Sequence, residues 1–356
     1  MPKTYEPVRL STRKTMDIEE IIGYDALWDS MLKCKNGVMW KPSTKHFVLN
    51  AVAEIEKMYE QLHDGTWKNG KPKPIKILHP KRRDGLSISF RDRVYQRSIN
   101  DNVLYPEMTK HFIIDNCACQ KGKGTDFARK RLKKKLWNFY SHYGTNGYVL
   151  QVDIKGYYPN MRHDVVNEKF ARYLSPEIFE MVRNVLDTQY MGEVGYNPGS
   201  QMVQIAGIST LDDLDHYCKE RLHARYYIRY MDDIFILHHD KNELEEMLVK
   251  IKEQLAKIGF EAHEKKTHIK PLSCGFTFLG FEYRITGTGK IIMTLNSKNI
   301  KHERKKLRRM VGKAKRGEMA KEKVDECYQS WRVHASKGNS FKLLQRMDKY
   351  YKDLWR

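Results

Sequence analysis

Two aspartates, Asp232 and Asp233, stand side by side in "RYYIRYMDDIFILHH" (225–239), whose flanks are aromatic, β-branched and apolar. A single buried strand cannot carry that pair, because two adjacent carboxylates would lose their water without a partner. The stretch folds most simply as two strands joined by a tight turn, with the acidic pair at the tip. Aspartate is an ordinary turn residue, so the pair alone requires no function. A second segment changes the weighing. "YVLQVDI" (148–154) is a short apolar run bounded by turn residues, which predicts a strand ending near Asp153.

Three carboxylates delivered by two strand ends repel one another unless they are neutralised. They suit a pair of hard divalent cations, which take oxygen ligands. Two such ions about 4 Å apart activate an attacking 3′-hydroxyl and stabilise a leaving pyrophosphate. The chemistry expected of this set is therefore phosphoryl transfer.

Charge points to the substrate class. Lys and Arg outnumber Asp and Glu by 65 to 44 in 356 residues, a formal charge of +21. That balance favours a polyanionic partner, nucleic acid before an acidic membrane surface. No run of about 18 apolar residues is present and "MPKTYEPVRLSTRKTMDIEE" has no apolar core, so the expectation is a cytoplasmic protein with no membrane partner. Of six cysteines only Cys117 and Cys119 are close, with one residue between them rather than two, and all six read as packing residues or free thiols.

Along the chain, 17–64 predicts two amphipathic helices opening on Asp17 as a cap and closing at Gly65. Residues 70–90 predict a hairpin with a basic tip at Lys81, Arg82 and Arg83, and a helical stretch follows. Thr125 or Asp126 is placed to cap a helix with a strongly positive face. Helices are expected in "HDVVNEKFARYL", "SPEIFEMVRNVLDTQY", "ISTLDDLDHYCKERL" and "KNELEEMLVKIKEQLAKIG", with a Gly/Pro loop at 192–201. Near the carboxyl end, 301–316 holds nine Lys or Arg and one Glu, with Leu307, Met310 and Val311 on an apolar side. Such a run suits phosphate contact, although a solvated helix face has the same composition.

In this order the pieces resemble a reverse transcriptase over nearly the whole chain. "YMDD" (230–233) is similar to the palm motif carrying the second and third catalytic aspartates, and "VDIKGYYPN" (152–160) to the motif supplying the first. "HPKRRDGLSISFRDRVYQRSI" resembles the fingers motif of bacterial reverse transcriptases, "ACQKGKGTDFA" the segment before the first palm strand, and "NPGSQMVQIAGISTLDDLDH" the template- and nucleotide-positioning motif. "HEKKTHIKPLSCGFTFLGF" matches the region ending in the primer-grip hairpin, and "VDECYQSWRVHASKGNSFKLLQRMD" is similar to the thumb of diversity-generating-retroelement enzymes.

The resemblance implies an α/β (α+β) right-hand polymerase: an N-terminal helical region (1–65), fingers with early palm elements (66–147), palm (148–285) and basic helical thumb (286–356). It implies two Mg²⁺ ions, with Mn²⁺ as a substitute, held by Asp153, Asp232, Asp233 and the Ile154 carbonyl. Arg83, with Lys81 as second candidate, would contact the triphosphate of a dNTP. Tyr158 would exclude a ribose 2′-hydroxyl, and Gln204 occupies the family's glutamine position. Lys266 or Lys265 would protonate pyrophosphate. Lys305, Lys306, Arg308 and Arg309 would grip nucleic acid, while Trp331 and His334 are read as packing residues. The partners implied are a structured template RNA, its cDNA product and a small accessory protein, with no oligomeric state indicated.

The departures concern the subgroup. Val203 precedes Gln204 where the retroelement enzymes carry Ser-Gln, and Ser200-Gln201 lies earlier. The Pro-Gln-Gly signature of group II intron enzymes is missing, and no RNase H domain is expected. An antiphage-defence reverse transcriptase, a polymerase working without primer or template, and a catalytically idle RNA-binding scaffold are the alternatives. The intact set of three aspartates argues against the scaffold.

Overall fold

A computed structural model describes residues 18–77, 83–197 and 199–356. Four short helices come first, α1 (Glu19–Ile22), α2 (Tyr24–Cys34), α3 (Pro42–Leu49) and α4 (Ala51–His63), where the sequence predicts two. The breaks are local. Gly23 swings to ψ 156°, Gly37 takes φ 72° in the "KNGVMWK" turn, and Asn50 leaves helical geometry at φ −108°, ψ 26°. The expected Asp17 cap lies outside the described residues.

The predicted hairpin forms from β1 (Lys73–Ile77) and β2 (Arg83–Ser87), antiparallel with Ile77 opposite Arg83. Its tip, including Lys81 and Arg82, lies outside the described residues. Next come α5 (Phe90–Ile99), a π-helical turn at Asn100–Leu104, α6 (Tyr105–Thr109) and α7 (Thr125–Tyr143). Ser89 caps α5: its Oγ accepts from the Asp92 amide at 3.0 Å and donates to the Asp92 carboxylate at 2.7 Å. At α7 the expected cap is absent. Gly124 holds that position, and Asp126 instead accepts from Arg129 and Lys337 at 2.8 and 2.7 Å.

The strand β3 (Tyr148–Asp153) ends where the sequence predicts, and α8 (His163–Tyr173) and α9 (Pro176–Gln189) follow. Then α10 (Gln201–Thr210) starts a full two turns before the expected helix, because the Ser200 hydroxyl caps it by accepting from the Met202 amide at 3.2 Å. After α11 (Asp212–His216) come the predicted hairpin strands β4 (Tyr226–Tyr230) and β5 (Asp233–His238), α12 (Lys241–Lys257), β6 (His268–Pro271), β7 (Phe276–Phe278), β8 (Phe281–Ile285) and β9 (Ile291–Leu295). The basic tail expected to be helical thus opens with a strand, β9, which pairs with β8. It continues as α13 (Ser297–Lys315), α14 (Lys321–Ser336) and α15 (Phe341–Trp355).

Two compact units result, each assembled from three stretches of chain. One comprises residues up to Lys121, Asp153–Leu222 and Lys250–His263; the other comprises Gly122–Val152, His223–Val249 and Glu264–Arg356. In the first, α2 packs on α4 and α5 through Leu27, Met31, Ile55, Met58, Val94 and Ile99, all fully buried. Each such side chain contributes roughly 1.5–3 kcal/mol by leaving water.

In the second unit a four-stranded sheet has the order β4-β5-β3-β6, and a separate sheet has the order β7-β8-β9. β4 with β5 and β3 with β6 are antiparallel. A Cβ on Gly147, just before β3, would lie 3.0 Å from the carbonyl oxygen of His238 at the end of β5. The start of β3 therefore meets the end of β5, and that pair is antiparallel too. The β7–β8 turn is Leu279-Gly280, with φ 46° and 83° between the paired Phe278 and Phe281. Positive φ at both positions marks the two-residue turn that follows strand twist, and Arg129 Nη2 donates to the Leu279 carbonyl at 3.1 Å. α13, α14 and α15 bury Leu307, Val311, Val324, Tyr328, Trp331 and Met347. The mixed helix-and-strand class is the one the sequence predicts. Among the described residues no helix is long and apolar enough to cross a membrane, and all six cysteines are free of disulfides.

Candidate active site

β4 and β5 pair from Tyr226 opposite Leu237 to Tyr230 opposite Asp233, which leaves Met231 and Asp232 as the turn. Asp233 opens β5, and Asp153 closes the antiparallel neighbour β3, so both strand ends lie at the same end of one sheet. All three aspartates are half-buried. The chain after β3 is held by residues 261–263. Asp153 O accepts from the His263 amide at 2.7 Å, and the Lys155 amide donates to Glu261 O at 2.9 Å. In that pattern the carbonyl of Ile154 points away from 261–263.

The donor set is chemically right for Mg²⁺: carboxylates and a backbone carbonyl, all hard oxygens. Among the described residues no three His, Cys, Asp or Glu side chains converge into a ready-made cage. Mg²⁺ does not need one, since it keeps several waters and shares substrate phosphates with one or two carboxylates.

Arg229 is the residue at this turn that the sequence reading missed. Its side chain has no solvent exposure, and Nη1 donates to the carbonyl oxygen of Met231 at 3.0 Å. Met231 has φ 55°, a left-handed conformation that costs a non-glycine residue about 1–2 kcal/mol. A hydrogen bond from a charged group returns roughly 1.5–3 kcal/mol, enough to hold the turn. The signal was present in "YYIRYM": one charged residue inside an otherwise apolar strand.

Tyr157 and Tyr158 diverge. Tyr157 is buried against Phe260, ring centroids 5.0 Å apart, and its hydroxyl donates to the Gly207 carbonyl. Tyr158 is half-exposed and lies over α10, where a Cβ on Gly207 would come 3.2 Å from its hydroxyl and 3.4 Å from its ring. Gln204, half-exposed, precedes Gly207 by three residues and shares that face of α10. The fold thus brings Tyr158 to the helix that carries Gln204, with Gly207 as the space between, a role nothing in the sequence singled out.

Lys266 is exposed in the turn before β6 and lines a cavity of about 640 Å³ together with Lys265, His268, Lys270, Arg284 and Lys298. Burial, with Lys270 alongside, lowers the His268 pKa. Lys81 lies outside the described residues, and Arg83 is placed by its backbone as the first residue of β2. On α13, Lys305, Arg308 and Arg309 are exposed. Lys306 is half-buried, 3.7 Å from the Glu303 carboxylate, with the Cys327 thiol beside it, and these neighbours raise its pKa against the cost of burial. Trp331 is buried and donates to Asn299 Oδ1 at 3.1 Å, as a packing residue does.

Residues 81–283, more than half of the chain, match the family described as reverse transcriptase (RNA-dependent DNA polymerase). No curated protein matches. Among solved structures, telomerase from Candida albicans in complex with a TWJ fragment of telomeric RNA is 14% identical, with a TM-score of 0.46 over 64% of this chain and 45% of that one. Apo telomerase from Candida tropicalis, truncated from its C-terminal domain, is 15% identical, with a TM-score of 0.49 over 63% and 55%. The chain spans about half the length of these telomerases.

Proposed function

Because the chain belongs to the reverse transcriptase (RNA-dependent DNA polymerase) family, we propose that it copies a dedicated structured RNA into cDNA from dNTPs. The observation that carries the reading is the placement of Asp153, Asp232 and Asp233 at one end of a single antiparallel sheet. Asp153, Asp232, Asp233 and the Ile154 carbonyl would hold two Mg²⁺ ions, or Mn²⁺ in their place. Bound there, the ions supply Lewis-acid activation of the primer 3′-hydroxyl and charge stabilisation at the leaving pyrophosphate.

The rest falls to the chain's own side chains. Arg229 fixes the turn from which Asp232 and Asp233 project. Tyr158 closes the floor of the sugar site, where its ring excludes a 2′-hydroxyl, and Gln204 on α10 orients the incoming base. Arg83 and Lys81 take the triphosphate, and Lys266 gives a proton to pyrophosphate. Exposed Lys305, Arg308 and Arg309 hold the duplex by its phosphates. The likeness of 324–348 to retroelement thumbs supports a role in a diversity-generating retroelement or a similar prokaryotic element.

The test is extension of a DNA primer on an RNA template with Mg²⁺. Asp232→Asn or Asp153→Asn should slow extension by roughly a thousandfold or more, the scale of losing a principal electrostatic element, with RNA binding retained. Equal extension by wild type and Asp232→Asn would end the assignment.

A further inference from the structure

Helix α7 has two chemically distinct sides. Ala128, Leu132, Leu136 and Phe139 are buried, and Phe139 packs edge-on against Tyr226 of β4 with ring centroids 5.3 Å apart. Lys130, Lys134, Trp137 and Ser141 are exposed. Spacings of four, three and four residues put them in one line along the helix. Trp137 stands two residues from Phe139, about 200° around the helix, and so faces away from the sheet. Its indole is 60% exposed.

The exposed charge that α7 itself carries on this side has one sign. Arg131 and Lys133 flank the line, half-exposed, and the sole carboxylate of α7, Asp126, is already engaged by Arg129 and Lys337. A protein partner would need a broader apolar patch, since interface centres are depleted of charge. One flat aromatic surface among lysines fits a different ligand, a nucleotide chain with its bases unpaired. Lysines meet phosphates, and any base can stack on an indole.

We infer that this face of α7 is a docking surface for an unpaired segment of RNA, with Lys130 and Lys134 on phosphates and a base on Trp137. It deepens the polymerase reading and rests on it. The α7 contact is with Tyr226, the first residue of β4, while the Met231-Asp232 turn follows Tyr230, the last. Four residues of strand separate the two levels by about 13 Å. Because Trp137 faces away from the sheet that carries the turn, the segment assigned to this surface is part of the structured RNA other than the nucleotides being copied.

The experiment uses the full chain saturated with a template–primer duplex, so that the polymerase channel is filled. Fluorescent single-stranded oligoadenylate is then titrated, beside the same oligomer in DNA and a blunt RNA duplex. Trp137→Ala should weaken oligoadenylate binding about tenfold, and Trp137→Phe should restore most of it. Lys130→Gln with Lys134→Gln should flatten the salt dependence by about 1.4, two single-strand phosphate contacts. Primer extension on a short template should be unchanged in all of these variants. Unaltered oligoadenylate affinity in Trp137→Ala, with normal extension, overturns this inference alone; loss of extension in the wild type overturns the polymerase reading. Preference for the DNA oligomer would assign the surface to product, and a changed particle mass without changed RNA binding would assign it to a protein.

Discussion

Arg229 reaches two residues forward, past the end of its own strand, and donates from Nη1 to the carbonyl oxygen of Met231 in the turn, 3.0 Å away, with no access to solvent. That contact fixes the backbone from which Asp232 projects. Arg229→Gln should lower stability in urea by about 1.5–3 kcal/mol. It should also raise the Mg²⁺ concentration needed for half-maximal extension, which a loss of folded protein alone would not do. Arg229→Lys keeps the charge but not the planar fork, and should fall between the two. An unchanged Mg²⁺ requirement in both variants would leave Arg229 as a packing residue.

The Tyr158–Gly207 approach predicts an effect on sugar choice from a residue remote in sequence from the tyrosine. Gly207→Ala would place its Cβ 3.2 Å from the Tyr158 hydroxyl, so the ring must shift by a few tenths of an ångström. Discrimination between dNTP and rNTP should change about tenfold, less than the ~100-fold that a misplacement of a full ångström can cost. Tyr158→Ala should abolish most of it. Because Tyr158 is half-exposed, that truncation should cost less than the ~3–5 kcal/mol of a fully buried aromatic. Intact discrimination in folded Tyr158→Ala would move the steric role elsewhere.

Strand ends were the most legible part of the sequence, and helix ends the least. β3 stops at Asp153 as expected, whereas the β4–β5 turn falls on Met231-Asp232, one residue before the expected acidic tip, with Asp233 already paired in β5; short apolar runs bounded by polar residues mark strands to within about a residue. The helices of 19–63 divide at Gly23, Gly37 and Asn50, two glycines and an asparagine that leave helical geometry at little cost, although such residues also occur inside helices. Asp126 had the composition of a cap but was claimed by Arg129 and Lys337, the latter 211 residues away. Gly207 escaped for the same reason, since its approach to Tyr158 is a contact across the fold that spacing along the chain does not encode; Arg229 was marked in the sequence as the one charge inside an apolar strand, but its bond to the Met231 carbonyl was not.

The basic helix α13 does not present its cations equally. Lys305, Arg308 and Arg309 are exposed, whereas Lys306 is tied to Glu303 and Cys327. Neutralising the three exposed residues should lower the slope of log affinity against log salt by about 2–3. Lys306→Gln alone should leave that slope nearly unchanged. Equal effects of Lys306→Gln and Arg308→Gln in salt titrations would contradict this division.

Glu303 supplies a pH signature. Burial raises its pKa, and Lys306 only partly offsets that. A carboxyl whose folded pKa is raised favours folding below its unfolded value, near 4.5, and that contribution is lost as pH rises through the folded pKa. Glu303→Gln should therefore melt higher than wild type at neutral pH, with the difference closing in acid. Melting curves that separate in acid and merge at neutrality would reverse the assignment.

Each compact unit is stitched from three separated stretches, the first reaching to His263 and the second from Gly122 to Arg356. A chain so interleaved cannot complete its parts one after another as it leaves the ribosome. The first unit waits for residues 250–263, while the strand β3, made early, waits for β5 and β6 to arrive beside it. Until then apolar edges of β3 stay uncovered, and such edges are where nascent chains aggregate. That order of assembly predicts slow completion of the fold during synthesis, and predicts that no cut at one point of the sequence yields two self-sufficient halves.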